Sequence, residues 1–134
     1  VDVLVTSVEE AKRFAEESGI DAMAVAIGTA HGNYKEKPQL RIDRLKEIHA
    51  AVKTPLVLHG GTGLTEEDFR TCLANGIQKI NIATASYDAS AAKIKEVAAA
   101  NPQAKYFDFS DAIVQGTYEN VKKHMHIFGL EQKA

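Results

Sequence analysis

The sequence predicts an α/β fold with parallel strands, about half of a (β/α)8 barrel, and three observations carry that expectation. Short β-branched runs alternate with helical patterns, as in successive βα units. The strand–loop–helix unit recurs at roughly 25-residue spacing, the interval of such a barrel. The first apolar run, Ala22-Met23-Ala24-Val25-Ala26-Ile27, lacks polar alternation, as does a strand covered on both faces. A closed barrel needs about 250 residues, so three strands in 134 residues make about half of one. A flavodoxin-like open sheet is the alternative arrangement.

Each element has its own signal. Ser7-Val8-Glu9-Glu10 is a capping box opening a helix through Glu17, with Gly19 as its stop. The first strand, Ala22 to Ile27, ends at Gly28. After a loop containing Pro38, the spacing of Ile42, Leu45, Ile48 and Val52 predicts a helix over 42–52. Pro55 precedes the second strand, Leu56-Val57-Leu58, which runs straight into His59-Gly60-Gly61. Thr65-Glu66-Glu67-Asp68 caps a further helix, closed by Asn75-Gly76, and Lys79 to Ile82 is the third strand. Two last helices, about 86–100 and 110–128, are separated by Asn101-Pro102. No linker, low-complexity tract or short-period repeat interrupts this order, so residues 1–134 read as a single domain.

Composition narrows the function classes. A content of 45% hydrophobic and 25% charged residues suits one globular domain, which at this length buries roughly two-thirds of its unfolded surface. The 16 basic and 18 acidic residues form no block of one sign, which argues against a nucleic-acid partner. No run approaches the roughly 18 apolar residues of a membrane span. The start holds Asp2, Thr6, Glu9 and Glu10 without a basic leader, so no signal peptide is expected. Val1 in place of methionine leads us to expect that residue 1 is not a translation start. Cys72 is the only cysteine; it is expected to be a small buried apolar residue in a reducing cytoplasm.

The chemistry gathers at strand ends. Gly28-Thr29-Ala30-His31-Gly32 follows the first strand, His59-Gly60-Gly61-Thr62-Gly63 the second, and Asn81-Ile82-Ala83-Thr84 closes the third. Substrates bind at this rim in α/β barrels, and a structural histidine explains one such segment but not all three. His31 and His59 are 28 residues apart, about one βα unit, and so are expected to stand on adjacent strands at one level. Two neutral imidazoles so placed can share a divalent metal, zinc by preference. Taken alone, each is more often a hydrogen-bonded structural residue, and only the matched placement brings ligation forward. His49 lies in a helix, and His124 and His126 point about 200° apart around another, so these three read as solvated or capping residues.

Gly60-Gly61-Thr62-Gly63 lets backbone amides approach an anion, the Thr62 hydroxyl can donate, and the helix near Thr65 adds its positive end. Together with Asn81 to Thr84, these are the loops from which barrel enzymes build phosphate sites. Lys79 alternates with Asn81 and so shares its face. Such a lysine either forms a Schiff base with a carbonyl substrate or pairs with a carboxylate deeper in the barrel; the second role is preferred.

These segments resemble those of the class II, zinc-dependent fructose-bisphosphate and tagatose-bisphosphate aldolases. Ala24 to Gly32 is similar to the segment bearing one zinc histidine, and Pro55 to Gly63 to that bearing another. Lys79-Ile80-Asn81-Ile82-Ala83-Thr84 resembles the last-strand motif that holds the substrate phosphate and ketone end. The likeness covers most of residues 4–90 and is only general beyond. It implies the C-terminal half of a (β/α)8 TIM barrel, about three parallel strands with helices plus C-terminal helices. His31 and His59 would then be zinc ligands, and Gly32, Gly60, Gly61, Thr62, Asn81, Ile82, Ala83 and Thr84 would bind dihydroxyacetone phosphate. A monovalent cation, Na+ or K+, often assists near the phosphate in this family.

The implied reaction is a cytoplasmic, reversible aldol cleavage of a ketose 1,6-bisphosphate to dihydroxyacetone phosphate and glyceraldehyde 3-phosphate, zinc polarising the ketone as a Lewis acid. The family's third zinc histidine and its acid/base aspartate lie in the first half of the barrel, and its mobile-loop glutamate would precede Val1. The resemblance thus implies an absent N-terminal half and no catalytic acid/base within these residues. Ala83 stands where many fructose-type enzymes carry aspartate, which is closer to tagatose-type members. Two rivals stay open, a Schiff-base barrel aldolase using Lys79 and a non-catalytic half-barrel that binds a sugar phosphate or self-assembles. A half-barrel exposes strand edges and an apolar interior, so a homo-oligomer or association with the missing half is expected.

Overall fold

Local chemistry starts the first helix where the sequence places it. Ser7 Oγ accepts the Glu10 amide and the Glu10 carboxylate accepts the Ser7 amide, which opens α1 (Val8–Ser18). The computed structural model describes residues 4–130, so Val1 and Asp2 lie outside the described residues. The chain divides between Ile82 and Ala83 into two compact units.

In the first unit, β1 (Met23–Ala24), β2 (Leu56–Leu58) and β3 (Ile77–Ile80) form a parallel sheet in the order β1-β2-β3. The helices α2 (Ile42–Ala51) and α3 (Glu66–Ala74) connect them, as parallel pairing requires. All three residues of central β2 are buried, in keeping with cover on both faces. Leu45 and Ile48 of α2 and Phe69 and Cys72 of α3 pack with Ile27, Leu56 and Leu58 into the fully buried core. Burial pushes the Cys72 thiol up to about 11, with the Asp68 charge adding to the effect, so Cys72 serves as an apolar core residue.

Both outer strands differ from expectation: β1 is shorter than Ala22 to Ile27 at both ends, and β3 ends at Ile80 rather than Ile82. The first strand leaves the ladder early: the Val25 amide still reaches Val57 O at 3.3 Å, but the Ile27 carbonyl, which alternation puts on the same edge, accepts the Arg41 amide at 2.8 Å. The third strand begins at Ile77, two residues before the expected start, because buried Ile77 pairs with Leu56 directly after Gly76. Register then shifts, since Leu56 pairs with Ile77 but Val57 with Lys79. The extra residue, Gln78, is a bulge, and it turns Lys79 and Asn81 to the face of β2 that carries Val57 and His59. A regular register would have put them on the other.

The second unit is a helical hairpin, α4 (Thr84–Ala100) and α5 (Tyr106–Ile127). Ser90 Oγ bonds to Ile113 O at 3.1 Å and Thr117 Oγ1 at 2.9 Å, while Asn120 reaches Ser86 Oγ at 2.9 Å. A Cβ on Gly116 would lie 2.6 Å from Ala89 O, so the helices cross closely there. Helix α5 starts earlier than the expected 110 because the Lys105 amide is capped by Asp108 at 2.7 Å, and exposed Tyr106 and Phe107 in the first turn mask the amphipathic pattern. Among the described residues, no helix is long and apolar enough to cross a membrane.

Candidate metal and phosphate site

Neighbouring parallel strands, and the loop that follows the first of them, bring the two candidate histidines to one place. Beyond β1 the chain turns through Gly28 to His31, and directly beyond β2 stands His59. Their rings meet with centroids 5.5 Å apart, His31 Nε2 lying 3.4 Å from His59 Nδ1. Both line a cavity of about 310 Å³, with Thr6, Thr29, Ala30 and Gly60 in its wall.

The separation of those nitrogens tests whether a shared metal fits. Two nitrogens on one tetrahedral zinc at about 2.0–2.1 Å are about 3.3–3.4 Å apart, which matches. Among the described residues, no cluster of three or more His, Cys, Asp or Glu side chains surrounds a common point. His31 and His59 therefore supply two donors, and a complete tetrahedral site needs more.

The glycine loop after β2 approaches the His31 loop without intervening side chains. Gly60 has φ +69, and a Cβ there would lie 2.3 Å from Ala30 O and 2.7 Å from its carbonyl carbon. Gly61 is packed beneath the Phe69 ring, where a Cβ would sit 3.0 Å from Cε1. Thr62 is buried at 8% exposure. The positive end of α3, expected to help hold an anion, is already engaged: Thr65 and Asp68 form a reciprocal cap, and Glu66, Glu67 and Asp68 fill its first turn. Any anion held by this loop rests on the amides of 60–63 instead.

The remaining candidates fall in different settings. Gly32, with φ +90, has open space where a side chain would go. Asn81 extends the ladder through its amide to Leu58 O at 3.0 Å, and its Nδ2 lies 3.0 Å from His59 Nε2. Ile82 points its side chain toward Gly61, leaving its backbone as the polar group on offer. Ala83 is the N-cap of α4 and provides no side-chain cap, and Thr84 is the helix's first residue. Lys79 donates to Asn81 Oδ1, a carboxamide rather than the carboxylate expected. Of the other histidines, His49 lies on α2 against Gly76, and His124 Nδ1 lies 2.8 Å from Asn120 O within α5.

Sequence reasoning missed Tyr34. Its hydroxyl accepts the Ala30 amide at 3.0 Å and donates to Gly60 O at 2.5 Å, tying the His31 loop to the glycine loop. Burial raises its pKa, outweighing the Ala30 hydrogen bond, so the phenol stays a proton donor at neutral pH. The available signal was a tyrosine in a polar loop three residues past His31, since a half-buried phenol needs a partner. Tyr34→Phe strands both backbone groups and is expected to cost about 1–2 kcal/mol, read as a lower urea midpoint at unchanged m-value.

Comparison with known proteins places this architecture. The sequence model described as fructose-bisphosphate aldolase class-II matches residues 1–133. A sulfofructosephosphate aldolase of Alkalicoccus urumqiensis is 38% identical over 134 residues, covering 99% of this chain and 47% of that protein. The crystal structure of the YdjI aldolase of Escherichia coli K12 superposes with TM-score 0.86 at 35% identity, covering 97% of this chain and 48% of that one. The fructose-bisphosphate aldolase of Campylobacter jejuni shares the fold with TM-score 0.73 at 23% identity, over 94% of this chain and 46% of its own. The chain spans about half the length of the relatives it matches. Its three parallel strands and helices are half a TIM barrel, not an open flavodoxin-like sheet.

Proposed function

The chain belongs to the class-II fructose-bisphosphate aldolase family, and from that premise we propose that it carries the metal and phosphate half of an active site for reversible aldol cleavage of a ketose 1,6-bisphosphate. The observation that carries this reading is the 3.4 Å separation of His31 Nε2 and His59 Nδ1 on neighbouring strand ends. These two nitrogens would hold a zinc ion, which when bound supplies Lewis-acid polarisation of a ketone oxygen. The amides of Gly60 and Gly61, the Thr62 hydroxyl, Gly32 and the Asn81 to Thr84 segment would hold the phosphate and ketone end of dihydroxyacetone phosphate, with a Na+ or K+ ion near the phosphate. The closely packed glycine loop keeps those amides fixed before substrate arrives, so little ordering cost falls on binding.

A third ligand and an acid/base group are needed for turnover. We propose that residues 1–134 act as the C-terminal part of a barrel and meet them across the open edges of the sheet, from a complementary half; a second copy would cover those edges without supplying the acid/base. The edge strands β1 and β3 support this, since an unclosed parallel sheet offers unpaired backbone groups.

Aldol cleavage followed by release of dihydroxyacetone phosphate tests the reading. EDTA is expected to abolish turnover and added zinc to restore it. EDTA-resistant cleavage, trapped on Lys79 by borohydride and substrate, would move the chemistry to a Schiff base. Phosphate-ester binding without zinc dependence or turnover would reduce the chain to a binding scaffold. Fructose, tagatose and sulfofructose phosphates belong in the same assay, the last because of the Alkalicoccus relative.

A further inference from the structure

Lys79 has no part in the proposed cleavage, yet its ammonium donates to Asn81 Oδ1. An ammonium offers only donors, so the carboxamide must turn its oxygen toward Lys79 and its NH2 group away. That NH2 meets His59 Nε2 at 3.0 Å. An amide nitrogen has no lone pair to offer, so Nε2 is the acceptor and the one proton of the neutral ring sits on Nδ1. Nδ1 faces His31 Nε2 and is the atom that a shared metal would need bare.

We propose that Lys79, acting through Asn81, is a positioning residue that holds His59 in the tautomer opposed to metal binding. Loading the site then requires Lys79 to release the carboxamide and Asn81 to reverse. The reversed amide offers its oxygen to a proton on Nε2, the second-shell arrangement that supports a ligating histidine. No net proton moves: Nδ1–H is lost to solvent while Nε2 gains one. The register beyond the bulge at Gln78 makes the device possible, because it sets Lys79 and Asn81 on the face of His59. This inference rests on the zinc reading of His31 and His59.

The test combines long-range 1H–15N correlation spectra of the metal-free protein with zinc titration against a competing chelator. The wild type is expected to show His59 protonated at Nδ1, and Lys79→Met to shift it toward Nε2. Zinc should bind Lys79→Met about 10-fold tighter, and Asn81→Asp tighter by about 10- to 100-fold, because the carboxylate accepts from both Nε2–H and Lys79. Lys79→Arg keeps the donors and should stay near wild type in both readouts. A wild-type ring protonated at Nε2, or a tautomer unchanged in Lys79→Met, overturns the inference. Tighter zinc in Lys79→Met without a tautomer shift is relief of charge repulsion alone, and overturns it as well. If the wild type takes no zinc, the proposed function falls instead, and the spectra still decide the tautomer.

Discussion

In the completed barrel proposed above, His59→Ala is expected to lower zinc-dependent aldol cleavage by about 1,000-fold, because the several kcal/mol that a metal contributes to a carbonyl reaction go with its ligand. The side chain does three things at once. Its Nδ1 faces His31, its Nε2 receives Asn81, and its ring helps wall the cavity of about 310 Å³. The alanine variant therefore loses a ligand and frees Asn81, while the buried strand before it, Leu56 to Leu58, is untouched. Far-UV circular dichroism should match the wild type, and zinc retention after gel filtration should fall with activity. His49→Ala is the control: it removes an imidazole from α2, outside the site, and should retain zinc and turnover. Equal losses in both variants would show that histidine content, not this pair, governs the result.

The second large effect is expected at Gly60. An alanine there takes on the penalty of φ +69 and drives its Cβ against the Ala30 carbonyl, a backbone group that cannot rotate aside. The two costs sum to about 3 kcal/mol. The His31 loop has to retreat, which parts the two histidines and breaks the Tyr34 link, so zinc affinity and phosphate affinity should fall together. Gly32 supplies the comparison. It has φ +90, but a methyl group there would meet nothing within 4 Å, so Gly32→Ala carries the conformational penalty alone, about 1–2 kcal/mol. Thermal melts of the two variants, with zinc titrations, separate strain from collision. Equal melting points would mean that the approach to Ala30 is not what requires glycine at 60.

How much of this was legible beforehand depended on the range of the interactions. The caps at Ser7 and Thr65 were readable because both partners lie within four residues, and central β2 was readable because burial on both faces leaves a purely apolar run. The meeting of His31 and His59 was legible only in that both follow neighbouring strands; the level at which they meet is set by the loop through Gly28, which carries His31 to His59. The end of β1 was hidden, because Arg41, 14 positions later, takes the Ile27 carbonyl. Tyr34 was hidden for the same reason, since its partner at Gly60 is 26 positions away. The positive end of α3 was misjudged because its own acidic first turn fills it. Asn81 was recognised as a polar strand-end residue, but its turn toward His59 depends on a register irregularity that no local pattern announces.

Gln78 makes that irregularity a matter of counting rather than of chemistry. Its side chain has no assigned task, so a substitution scan would rank the position as tolerant. Its removal would be tolerated too: Ile77 already pairs with Leu56 and Lys79 with Val57, so a strand without it keeps Ile80 beside Leu58 and leaves Lys79 and Asn81 on the face of His59. Which rows pair thus decides what faces His59, and the extra residue between them is slack in the chain rather than a part of the device.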